Sequence, residues 1–495
     1  MNSALGMRLS YLLAAEPIDI GAQDPVITGL ALDSRKVRPG DCFFACGGTR
    51  EHGNKYALDA VMRGAAAVIT DCDARISLSV PSLALSPLVP RVGAIAARFF
   101  GEPSNDLVTI AVTGTNGKTT VAHLCAQALN ALGKRCAYVG TLGCGDLSSL
   151  ASSNGITTPD PITLQAELRR FVNERFDYVA MEASSHALDQ ARLAGTALDI
   201  AIFTGLGHDH LDYHASLDAY AEAKCKLFTH PGLTHAVLNV DDALSAKIIE
   251  ELAPTTTLWT FSLKPSTSRP RLLALRNLSY ANRITTLEVD LDGQTLVVKT
   301  QLVGEFNVQN VLATLGALLA AEIPLADACR GIATARPVIG RLESFGGGIE
   351  TPKIYVDYAH SPDSLARVLK VLRPFAAGRL ICVFGCGGNR DTSKRPMMGA
   401  IAERLADIII ITDDNPRDES PQAIAAQILS GMTQPHLARV VHARADAIHL
   451  ALSEASTDDV VLIAGKGHED TQEVAGIKSE FSDQQVVREW LAGRR

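Results

Sequence analysis

The segment that most constrains this chain is an apolar run followed by a glycine-rich turn. The run Thr109–Val112 leads directly into Thr113-Gly114-Thr115-Asn116-Gly117-Lys118-Thr119-Thr120. Glycines allow backbone N–H groups to close around phosphate oxygens, and the N-terminus of a following helix adds positive potential there. In such a loop, Lys118 would meet the β- and γ-phosphates and Thr119 would bind Mg²⁺. The pattern therefore predicts a nucleotide site on a strand–turn–helix unit.

One position departs from the strict phosphate-loop pattern, which has a glycine five residues before Gly117. This chain has Val112 there. The alternative is a glycine-rich turn without a ligand, but the Gly-x-x-Gly-Lys-Thr core has the correct context. We therefore predict that ATP is bound by Gly114, Thr115, Asn116, Gly117, Lys118, Thr119 and Thr120.

Length and composition limit the architecture. At about 150 residues per domain, 495 residues suggest about three domains. The 47% apolar and 20% charged residues indicate a globular chain, and the 5% aromatic content with 39 glycines favours α/β layers over a β-sandwich. A formal charge of −8 argues against a bulk nucleic-acid binder, which would carry a basic stripe. We predict domains over residues 1–104, 105–336 and 337–495.

Strand and helix patterns alternate along the last two of these segments, which predicts parallel sheets. The predicted central strands are Leu107–Val112, Cys136–Val139, Tyr178–Met181 and Leu198–Phe203, with helices Thr119–Leu132 and Ile162–Asn173. The predicted C-terminal strands are Ile354–Asp357, Leu380–Phe384, Ile408–Ile411 and Val460–Ala464. The alternating segment Leu258–Leu302 predicts antiparallel strands added to the central sheet.

The cysteines and the apolar runs of the sequence predict the cellular compartment of the protein. The ten cysteines include no C-x2-C pair, so we expect mostly buried free thiols and a reducing cytoplasm. The longest candidate membrane run, Val311–Ala321, is well short of the roughly 20 residues that a span needs. The run Leu9–Ala15 is too short for a signal peptide and is predicted to be the first helix.

Polar residues follow two predicted central strands. Glu182 comes directly after one strand, and His208, Asp209 and His210 follow another. Because the carboxyl ends of parallel strands share one crevice, Glu182, His210 and the phosphates could converge on a cation. The alternative is that these are ordinary polar turn residues. Lys224, on a predicted helix, would by composition alone be a solvated lysine.

Several longer strings closely resemble the Mur ligases of peptidoglycan synthesis, over nearly the whole chain and in the right order. The matching strings are Gly114–Thr120, Glu182–His186, Asp209–His214, Ala223-Lys224, Gly304–Asn310, Gly340–Glu343 and Asp357–Pro362. A further string, Asp414-Asn415-Pro416-Arg417, is similar to the one that marks the diaminopimelate-adding members of that family.

The resemblance implies three α/β domains: an N-terminal domain for the UDP end of the substrate, a central P-loop ATPase-type parallel sheet, and a C-terminal Rossmann-like domain for the amino acid. It implies an ATP-dependent, Mg²⁺-dependent ligase of the cytoplasm that serves cell-wall biogenesis, and through it cell shape and division. The reaction would join meso-diaminopimelate to the D-Glu γ-carboxylate of UDP-N-acetylmuramoyl-L-Ala-D-Glu through an acyl phosphate. We expect small-molecule substrates, no nucleic acid, no membrane insertion and a monomer.

The resemblance also implies roles for individual residues. Lys224 would be carbamylated and would hold Mg²⁺ with Thr119, Glu182 and His210, while Lys118, Lys224 and His210 would serve catalysis. Asn310 would contact adenine, and Arg341 and His360 would reach the nucleotide phosphates. The expected contacts of the UDP-muramoyl-peptide are Ser34, Asn154, Thr157, Thr158, Ser184, Gln190 and Arg192. His52 departs from the family, which commonly has an acidic residue there.

Loops after the C-terminal strands should open on one crevice. They would bind diaminopimelate through Arg390, Asp414, Asn415, Pro416, Arg417, Gly465 and Glu469. Arg390 and Arg417 suit the distal carboxylate, and Glu469 suits the distal ammonium. Lysine lacks that carboxylate and would leave Arg417 unpaired, so we expect discrimination of order 10² to 10⁴. The alternative is that Arg417 only caps its loop by a salt bridge.

Two other functions remain open at this point. A folylpolyglutamate synthetase or a lysine-adding homologue would keep the ligase chemistry, but the Asp414–Arg417 string and the long N-terminal domain disfavour both. A nucleotide-dependent switch or motor would hydrolyse ATP without any acceptor amine.

Overall fold

The computed structural model describes residues 6–21, 23–48, 51–72, 78–152, 156–207, 209, 211–265, 270–281, 284–348 and 350–494. Contacts divide these into two compact units. The first contains the described residues up to Arg276, with Val289–Leu296 and Val311–Thr334. The second contains those of Asn277–Glu288, Val297–Asn310 and Ala335–Arg495. No helix among the described residues is long and apolar enough to cross a membrane.

The N-terminal part is built on a small parallel sheet. Its elements are β1 (Met7–Arg8), α1 (Leu9–Leu12), β2 (Val26–Ile27), β3 (Gly29–Ala31), β4 (Asp41–Ala45), α2 (Ala57–Met62), β5 (Ala67–Thr70), β6 (Ser82–Ala84) and α3 (Val89–Phe99). The four-stranded sheet has the order β3-β4-β5-β6, and β1 pairs with β2. Strand β4 is buried along its whole length, as expected for a strand covered on both faces. The predicted first helix is confirmed, although α1 ends at Leu12.

A ten-stranded sheet forms the centre. Its elements are β7 (Val108–Thr113), α4 (Lys118–Ala131), β8 (Cys136–Gly140), β9 (Gly143–Gly145), α5 (Pro161–Asn173), β10 (Tyr178–Glu182), α6 (Ser185–Asp189), β11 (Ile200–Phe203), α7 (Leu211–His214), α8 (Leu217–Cys225), β12 (His235–Asn239), α9 (Leu244–Glu251), β13 (Thr257–Ser262), β14 (Leu272–Ala281), β15 (Ile284–Leu291), β16 (Gln294–Thr300), α10 (Glu305–Ala320) and α11 (Leu325–Thr334). The strand order is β16-β15-β14-β13-β12-β11-β7-β10-β8-β9. Strand β7 is therefore flanked by β10 and β11, both parallel to it.

The four predicted central strands are confirmed, and they bring the ends of β7, β10 and β11 to one edge. The antiparallel prediction for Leu258–Leu302 is partly wrong. Strand β13 pairs in parallel with β12, and β14 pairs in parallel with β13. Only the later strands have a hairpin connection, because Asp292 and Gly293 alone join β15 to β16. The alternation of apolar residues in this segment sets which face is buried and does not set strand direction.

The C-terminal part has a six-stranded sheet and a hairpin. Its elements are β17 (Glu343–Gly346), β18 (Lys353–Asp357), α12 (Pro362–Leu372), β19 (Leu380–Phe384), α13 (Lys394–Leu405), β20 (Ile408–Ile411), α14 (Pro421–Leu429), β21 (Ala438–Val440), α15 (Arg444–Glu454), β22 (Val460–Ala464), β23 (Thr471–Val474), β24 (Ile477–Glu480) and α16 (Asp483–Ala492). The order is β17-β18-β22-β19-β20-β21, with only β17 antiparallel. All four predicted strands are confirmed to within one residue.

Candidate active site

The glycine-rich turn joins β7 to α4, as the sequence predicts. Gly114 has a φ of +149° and Gly117 a φ of +88°, in a region that favours glycine. A Cβ on Gly114 would lie 1.9 Å from Thr204 Oγ1, so only glycine fits there. The Lys118 ammonium donates to the carbonyl oxygens of Gly114 at 2.8 Å and Thr115 at 3.1 Å. The lysine thus lies over the loop that would receive phosphates.

Residues after β11 hold this turn in place. The Gly207 N–H donates to Thr115 Oγ1 at 2.7 Å, and the Thr115 N–H donates to the Gly205 carbonyl at 2.8 Å. The Tyr220 hydroxyl lies 3.1 Å from Thr115 Oγ1. The turn is therefore fixed from the neighbouring strand before any ligand arrives, which lowers the cost of ordering it on binding.

The Glu182 carboxylate lies beside the turn, at the end of β10. It is 1% exposed and accepts hydrogen bonds from Thr119 Oγ1 at 2.9 Å, the Tyr138 hydroxyl at 2.6 Å and the Thr141 N–H at 2.8 Å. A buried carboxylate needs such donors to offset its desolvation. The structure thus brings Thr119 and Glu182 together. Both offer oxygen atoms, the ligand type that Mg²⁺ prefers.

Lys224 is fully buried on α8, so the alternative of a solvated lysine is wrong. Its ammonium nitrogen lies 2.9 Å from the Gly114 carbonyl oxygen and 4.2 Å from the centre of the Tyr220 ring. Burial and the nearby Lys118 charge lower the pKa of the Lys224 amine well below its usual value. This side chain therefore contacts the same carbonyl as Lys118. His208 and His210 lie outside the described residues.

Most predicted peptide contacts gather next to Glu182. The Thr158 hydroxyl donates to the Glu182 carbonyl at 2.7 Å and accepts from the Ser184 N–H at 3.2 Å. The Arg192 guanidinium donates to the Thr158 carbonyl at 2.7 Å and to Gln190 Oε1 at 2.7 Å. Five predicted residues lie on the loops before α5 and around α6: Thr157, Thr158, Ser184, Gln190 and Arg192. Ser34 belongs to the N-terminal part, and Asn154 lies outside the described residues.

His52 performs the capping task of an acidic residue. Its Nδ1 accepts the Asn54 N–H at 3.1 Å, and its Nε2 lies 2.6 Å from Asp71 Oδ1. Because Nδ1 is an acceptor, the ring proton is on Nε2 and is donated to Asp71. Cys72 Sγ is also near, 3.5 Å from Nε2, but a metal on Nε2 would need the proton on Nδ1. We therefore assign this group as a hydrogen-bonded cap.

In the second unit, predicted phosphate contacts surround Tyr358. The Arg341 guanidinium lies 4.8 Å and the His360 ring 4.6 Å from the centre of the Tyr358 ring. Gly340, with a φ of +67°, passes so close to the His468 N–H that a Cβ would lie 2.2 Å from that nitrogen. Asn310 is buried in the first turns of α10. The structure thus brings Arg341 and His360 together around the Tyr358 ring.

The predicted amino-acid residues lie on three neighbouring loops of the C-terminal sheet. Arg417 has a φ of +52°, and its guanidinium donates to the Gly388 carbonyl at 2.7 Å. Its Nε lies 3.6 Å from Glu473 Oε2. The loop contact that the capping alternative requires is therefore present. A guanidinium has five N–H donors, so this contact leaves donors for a substrate carboxylate.

Asn415 and Glu469 are tied together by a lysine that sequence reasoning missed. Lys466 is fully buried, and its ammonium donates to Glu469 Oε2 at 2.9 Å and Asn415 Oδ1 at 3.2 Å. Asn415 Nδ2 donates to the same glutamate oxygen at 2.8 Å. The Asn415 side chain thus orients the Glu469 carboxylate. The available signal was a lysine between two glycines directly after an apolar strand, Ala464-Gly465-Lys466-Gly467.

Asp414 and Gly465 complete this loop cluster. Asp414 is 8% exposed, and a Cβ on Gly465 would lie 2.6 Å from its Oδ2. Gly465 has a φ of +114°, so glycine is required by both backbone conformation and space. Arg390, at the end of the loop after β19, is exposed. The predicted cluster of charged groups is therefore present at the carboxyl ends of β19, β20 and β22.

Comparison with known proteins agrees with this arrangement. Family models match at residues 26–100 (Mur ligase family, catalytic domain), 112–318 (Mur ligase middle domain) and 340–467 (Mur ligase, glutamate ligase domain). The UDP-N-acetylmuramoyl-L-alanyl-D-glutamate–2,6-diaminopimelate ligase of Pseudomonas aeruginosa is 46% identical over 95% of this chain and 96% of its own. The ligase of the same name from Chromobacterium violaceum is 45% identical over 93% of both chains.

Solved structures are similar over the full length. A UDP-N-acetylmuramoyl-L-alanyl-D-glutamate–2,6-diaminopimelate ligase has a TM-score of 0.74 at 34% identity, covering 99% of both chains. A folylpolyglutamate synthase of Mycobacterium tuberculosis complexed with ADP shares the fold, with a TM-score of 0.63 at 19% identity over 77% of this chain and 92% of its own. The family models together cover most of the sequence, and the relatives exceed 40% identity. On this evidence the chain belongs to the Mur ligase family.

Proposed function

We propose that this protein is an ATP-dependent amide ligase that adds meso-diaminopimelate to UDP-N-acetylmuramoyl-L-Ala-D-Glu. The observation that carries this proposal is the loop Asp414–Arg417 next to Glu469, in a chain whose relatives named as diaminopimelate ligases are 43–46% identical. The new amide joins the D-Glu γ-carboxylate to an amine of diaminopimelate. The protein would act in the cytoplasm as a monomer on small molecules, with domains over 1–104, 105–336 and 337–495.

ATP would be bound by Gly114–Thr120, with Lys118 on the β- and γ-phosphates. Lys118 already lies over the loop carbonyls, so a phosphate would draw its ammonium from those carbonyls to a full negative charge. Such positioning and charge neutralisation are the main contributions of a protein to phosphoryl transfer. Asn310 would contact adenine, and Arg341 and His360 would reach the nucleotide phosphates.

Mg²⁺ would be held by Thr119, Glu182, His210 and Lys224. The donor set fits this ion in part, because Thr119 and Glu182 offer oxygens that already lie within hydrogen-bonding distance. When bound, Mg²⁺ would neutralise charge on the transferring phosphoryl group. An unmodified Lys224 does not fit, because its ammonium would repel the cation.

Carbamylation would make Lys224 fit. A neutral lysine amine adds to the carbon of CO₂: a C–N bond forms and the electrons of one C=O π bond move to its oxygen. The nitrogen then loses a proton to water, which leaves a carbamate anion. The lowered pKa of the buried Lys224 amine supports this step, since only the neutral amine is a nucleophile. The product carries carboxylate-like oxygens on a long stem. It would also place an anion beside the Lys118 ammonium.

The reaction would then proceed in two steps. An oxygen of the D-Glu γ-carboxylate attacks the γ-phosphorus of ATP, and ADP leaves. The amine of diaminopimelate attacks the acyl carbon, and the tetrahedral intermediate releases phosphate. The peptide would be held for this attack by Asn154, Thr157, Thr158, Ser184, Gln190 and Arg192, while Ser34 would contact uridine.

Diaminopimelate would be recognised by its distal centre. Arg390 and Arg417 would pair with the distal carboxylate, and Glu469 with the distal ammonium, with Asp414, Asn415, Pro416 and Gly465 forming the rest of the pocket. Glu469 suits this role because Lys466 and Asn415 both contact its Oε2. A carboxylate held in this way is already oriented before the substrate arrives.

An amino-acid panel tests the proposal. Purified protein with ATP, Mg²⁺ and UDP-N-acetylmuramoyl-L-Ala-D-Glu would be offered meso-diaminopimelate, L-lysine, D-Ala-D-Ala or L-glutamate. We expect product only with meso-diaminopimelate, and transfer of ¹⁸O from the labelled γ-carboxylate into phosphate. Preference for L-lysine would reject the substrate, absence of ¹⁸O in phosphate would reject the acyl phosphate, and ATP hydrolysis without any acceptor would reject the ligase.

A further inference from the structure

A fully buried arginine near the proposed amino-acid pocket has no role in the reaction described above. Arg395 lies in the first turn of α13 and is 0% exposed. Its guanidinium donates to both carboxylate oxygens of Glu419, at 2.8 and 3.0 Å, and to Gln427 Oε1 at 2.8 Å. It also donates to the Gly387 carbonyl at 2.9 Å. Arg395 thus connects the loop after β19 to the loop after β20.

These two loops touch along their backbones. The Gly388 N–H donates to the Asn415 carbonyl at 2.9 Å, and a Cβ on Gly388 would lie 1.8 Å from the Pro416 carbonyl oxygen. The Asn389 N–H donates to Glu419, the partner of Arg395. Three successive residues, Gly387–Asn389, are therefore held against the second loop.

The two arginines proposed to bind the distal carboxylate extend from these loops. Arg390 directly follows the held residues, and Arg417 lies two residues before Glu419. The Arg417 guanidinium itself contacts the Gly388 carbonyl at 2.7 Å. A shift of one loop against the other would change the separation of the two guanidinium groups. Misplacement by about 1 Å can cost about 10²-fold in rate.

Keeping Arg395 buried is costly, which indicates that its contacts serve a purpose. Within the described part of the chain, its Nε is buried with no hydrogen-bond partner. Its partner Glu419 keeps 30% of its side chain exposed, so the buried guanidinium carries most of the desolvation cost. The best-attested benefit of such a costly pair is a unique geometry. Here that geometry is the spacing of two recognition loops.

We propose that Arg395, through Glu419, is a positioning residue that sets specificity for the distal carboxylate of the amino-acid substrate. This inference rests on the proposed function. A lysine at 395 would keep the charge but could not reach both Glu419 oxygens and the Gly387 carbonyl, because an ammonium lacks the planar fork of donors. Glutamine at 419 would keep the shape of the side chain while removing the ion pair.

The test compares Arg395→Lys and Glu419→Gln with Arg379→Lys. Arg379 also pairs with a buried carboxylate, Asp459, but at the opposite ends of β19 and β22. We expect the KM for meso-diaminopimelate to rise about tenfold or more in the first two variants. The preference over L-lysine should fall by about the same factor, because the paired arginines supply that preference. The KM for ATP and for the nucleotide peptide should stay within about twofold of wild type.

Three results would overturn the proposal. One is an equal rise of all three KM values, which indicates general damage. The second is an unchanged preference in both variants, and the third is the same loss of preference in Arg379→Lys. If Arg395→Lys is insoluble, the better tolerated Glu419→Gln decides. If the wild-type protein prefers another acceptor, the proposed substrate is refuted. The role of Arg395 is then decided by whether the KM for that acceptor changes selectively in the Arg395→Lys and Glu419→Gln variants.

Discussion

The ammonium nitrogen of Lys224 lies 2.9 Å from the carbonyl oxygen of Gly114, the same oxygen that accepts a hydrogen bond from Lys118 at 2.8 Å. Two lysines thus share one acceptor in a buried position. Their mutual repulsion, together with burial, favours the neutral amine at Lys224. The charge of Lys118 in the phosphate loop therefore influences the protonation of Lys224, the residue proposed to be carbamylated.

Replacement of Lys224 tests this relationship. We expect Lys224→Ala to lower kcat by at least about 10²-fold, because the proposed anion beside the phosphates is lost. A short-chain carboxylic acid should restore part of the activity by occupying the vacated space. Lys247→Ala is the matched control, since that lysine is half exposed and makes only distant ion pairs at 3.9 and 4.0 Å. Full activity of Lys224→Ala without added acid would remove Lys224 from the site.

Tyr138→Phe tests the hydrogen-bonding of Glu182. The Tyr138 hydroxyl donates to Glu182 Oε1 at 2.6 Å in a buried setting, and its loss leaves that oxygen one donor short. We expect a fall in stability of about 1 to 3 kcal/mol and weaker Mg²⁺ activation, with an unchanged KM for the amino acid. Tyr178 lies at the start of β10, at the opposite end of that strand from Glu182. Tyr178→Phe should therefore leave Mg²⁺ activation as in wild type. Equal Mg²⁺ dependence of both variants would contradict the assignment.

The sequence predicted more of the strands than of their contacts. The predicted ends of two strands, Val112 and Met181, lie within one residue of the observed ends of β7 and β10, because strand cores are local patterns. The hydrogen-bond partners of the charged groups, such as Tyr138 for Glu182 and Gly114 for Lys224, come from parts of the chain distant in sequence. Local periodicity contains no information on such pairs. The burial of Lys224 was hidden for the same reason, since its helix also contains the charged residues Asp218 and Glu222.

The parallel pairing of β13 and β14 was missed for a different reason. The segment was interpreted as alternating antiparallel strands, whereas β13 and β14 each have one buried end and one more exposed end. The connection between them includes residues 266–269, outside the described part. Direction depends on the path of that connection. In the C-terminal unit the sequence did indicate which loops lie side by side, because each follows a continuous apolar strand of one parallel sheet.

Gly114→Ala should weaken nucleotide binding. The added Cβ would lie 1.9 Å from Thr204 Oγ1, and the φ of +149° is unfavourable for alanine. The turn would have to move away from the position in which its N–H groups can face phosphates. Equilibrium binding of a fluorescent ATP analogue measures this, and we expect a loss of at least about tenfold in affinity. Gly133→Ala also places alanine at a positive φ, of +77°, but in a turn with open space around the Cβ. It therefore controls for backbone strain and should bind the nucleotide as wild type does.

Protonation of His123 should make the stability of the first unit depend on pH. Burial lowers the pKa of this histidine to about 4, whereas its usual value is 6.5. The unfolded state therefore binds a proton between these values and the folded state does not, so stability falls as pH decreases from 6.5 towards 4. Between pH 7 and pH 5 we expect a loss of about 2 kcal/mol from this group. His123→Gln should lack this part of the loss in denaturant unfolding. Identical pH profiles for the variant and wild type would falsify the assignment.

Arg417 supplies the sharpest test of substrate choice. Its backbone has a φ of +52°, and both of its peptide groups are hydrogen-bonded to the β23 region, through the Glu473 carbonyl at 3.0 Å and the Ala475 N–H at 2.7 Å. The backbone conformation should therefore survive Arg417→Lys, while the bidentate contact to a carboxylate is lost. We expect kcat/KM for meso-diaminopimelate to fall about 10²-fold and that for L-lysine to change little. If Arg417 only caps its loop, kcat/KM should fall by the same factor for both substrates, and the melting temperature should fall as well. The ratio of the two kcat/KM values, measured beside the melting temperature, distinguishes these outcomes.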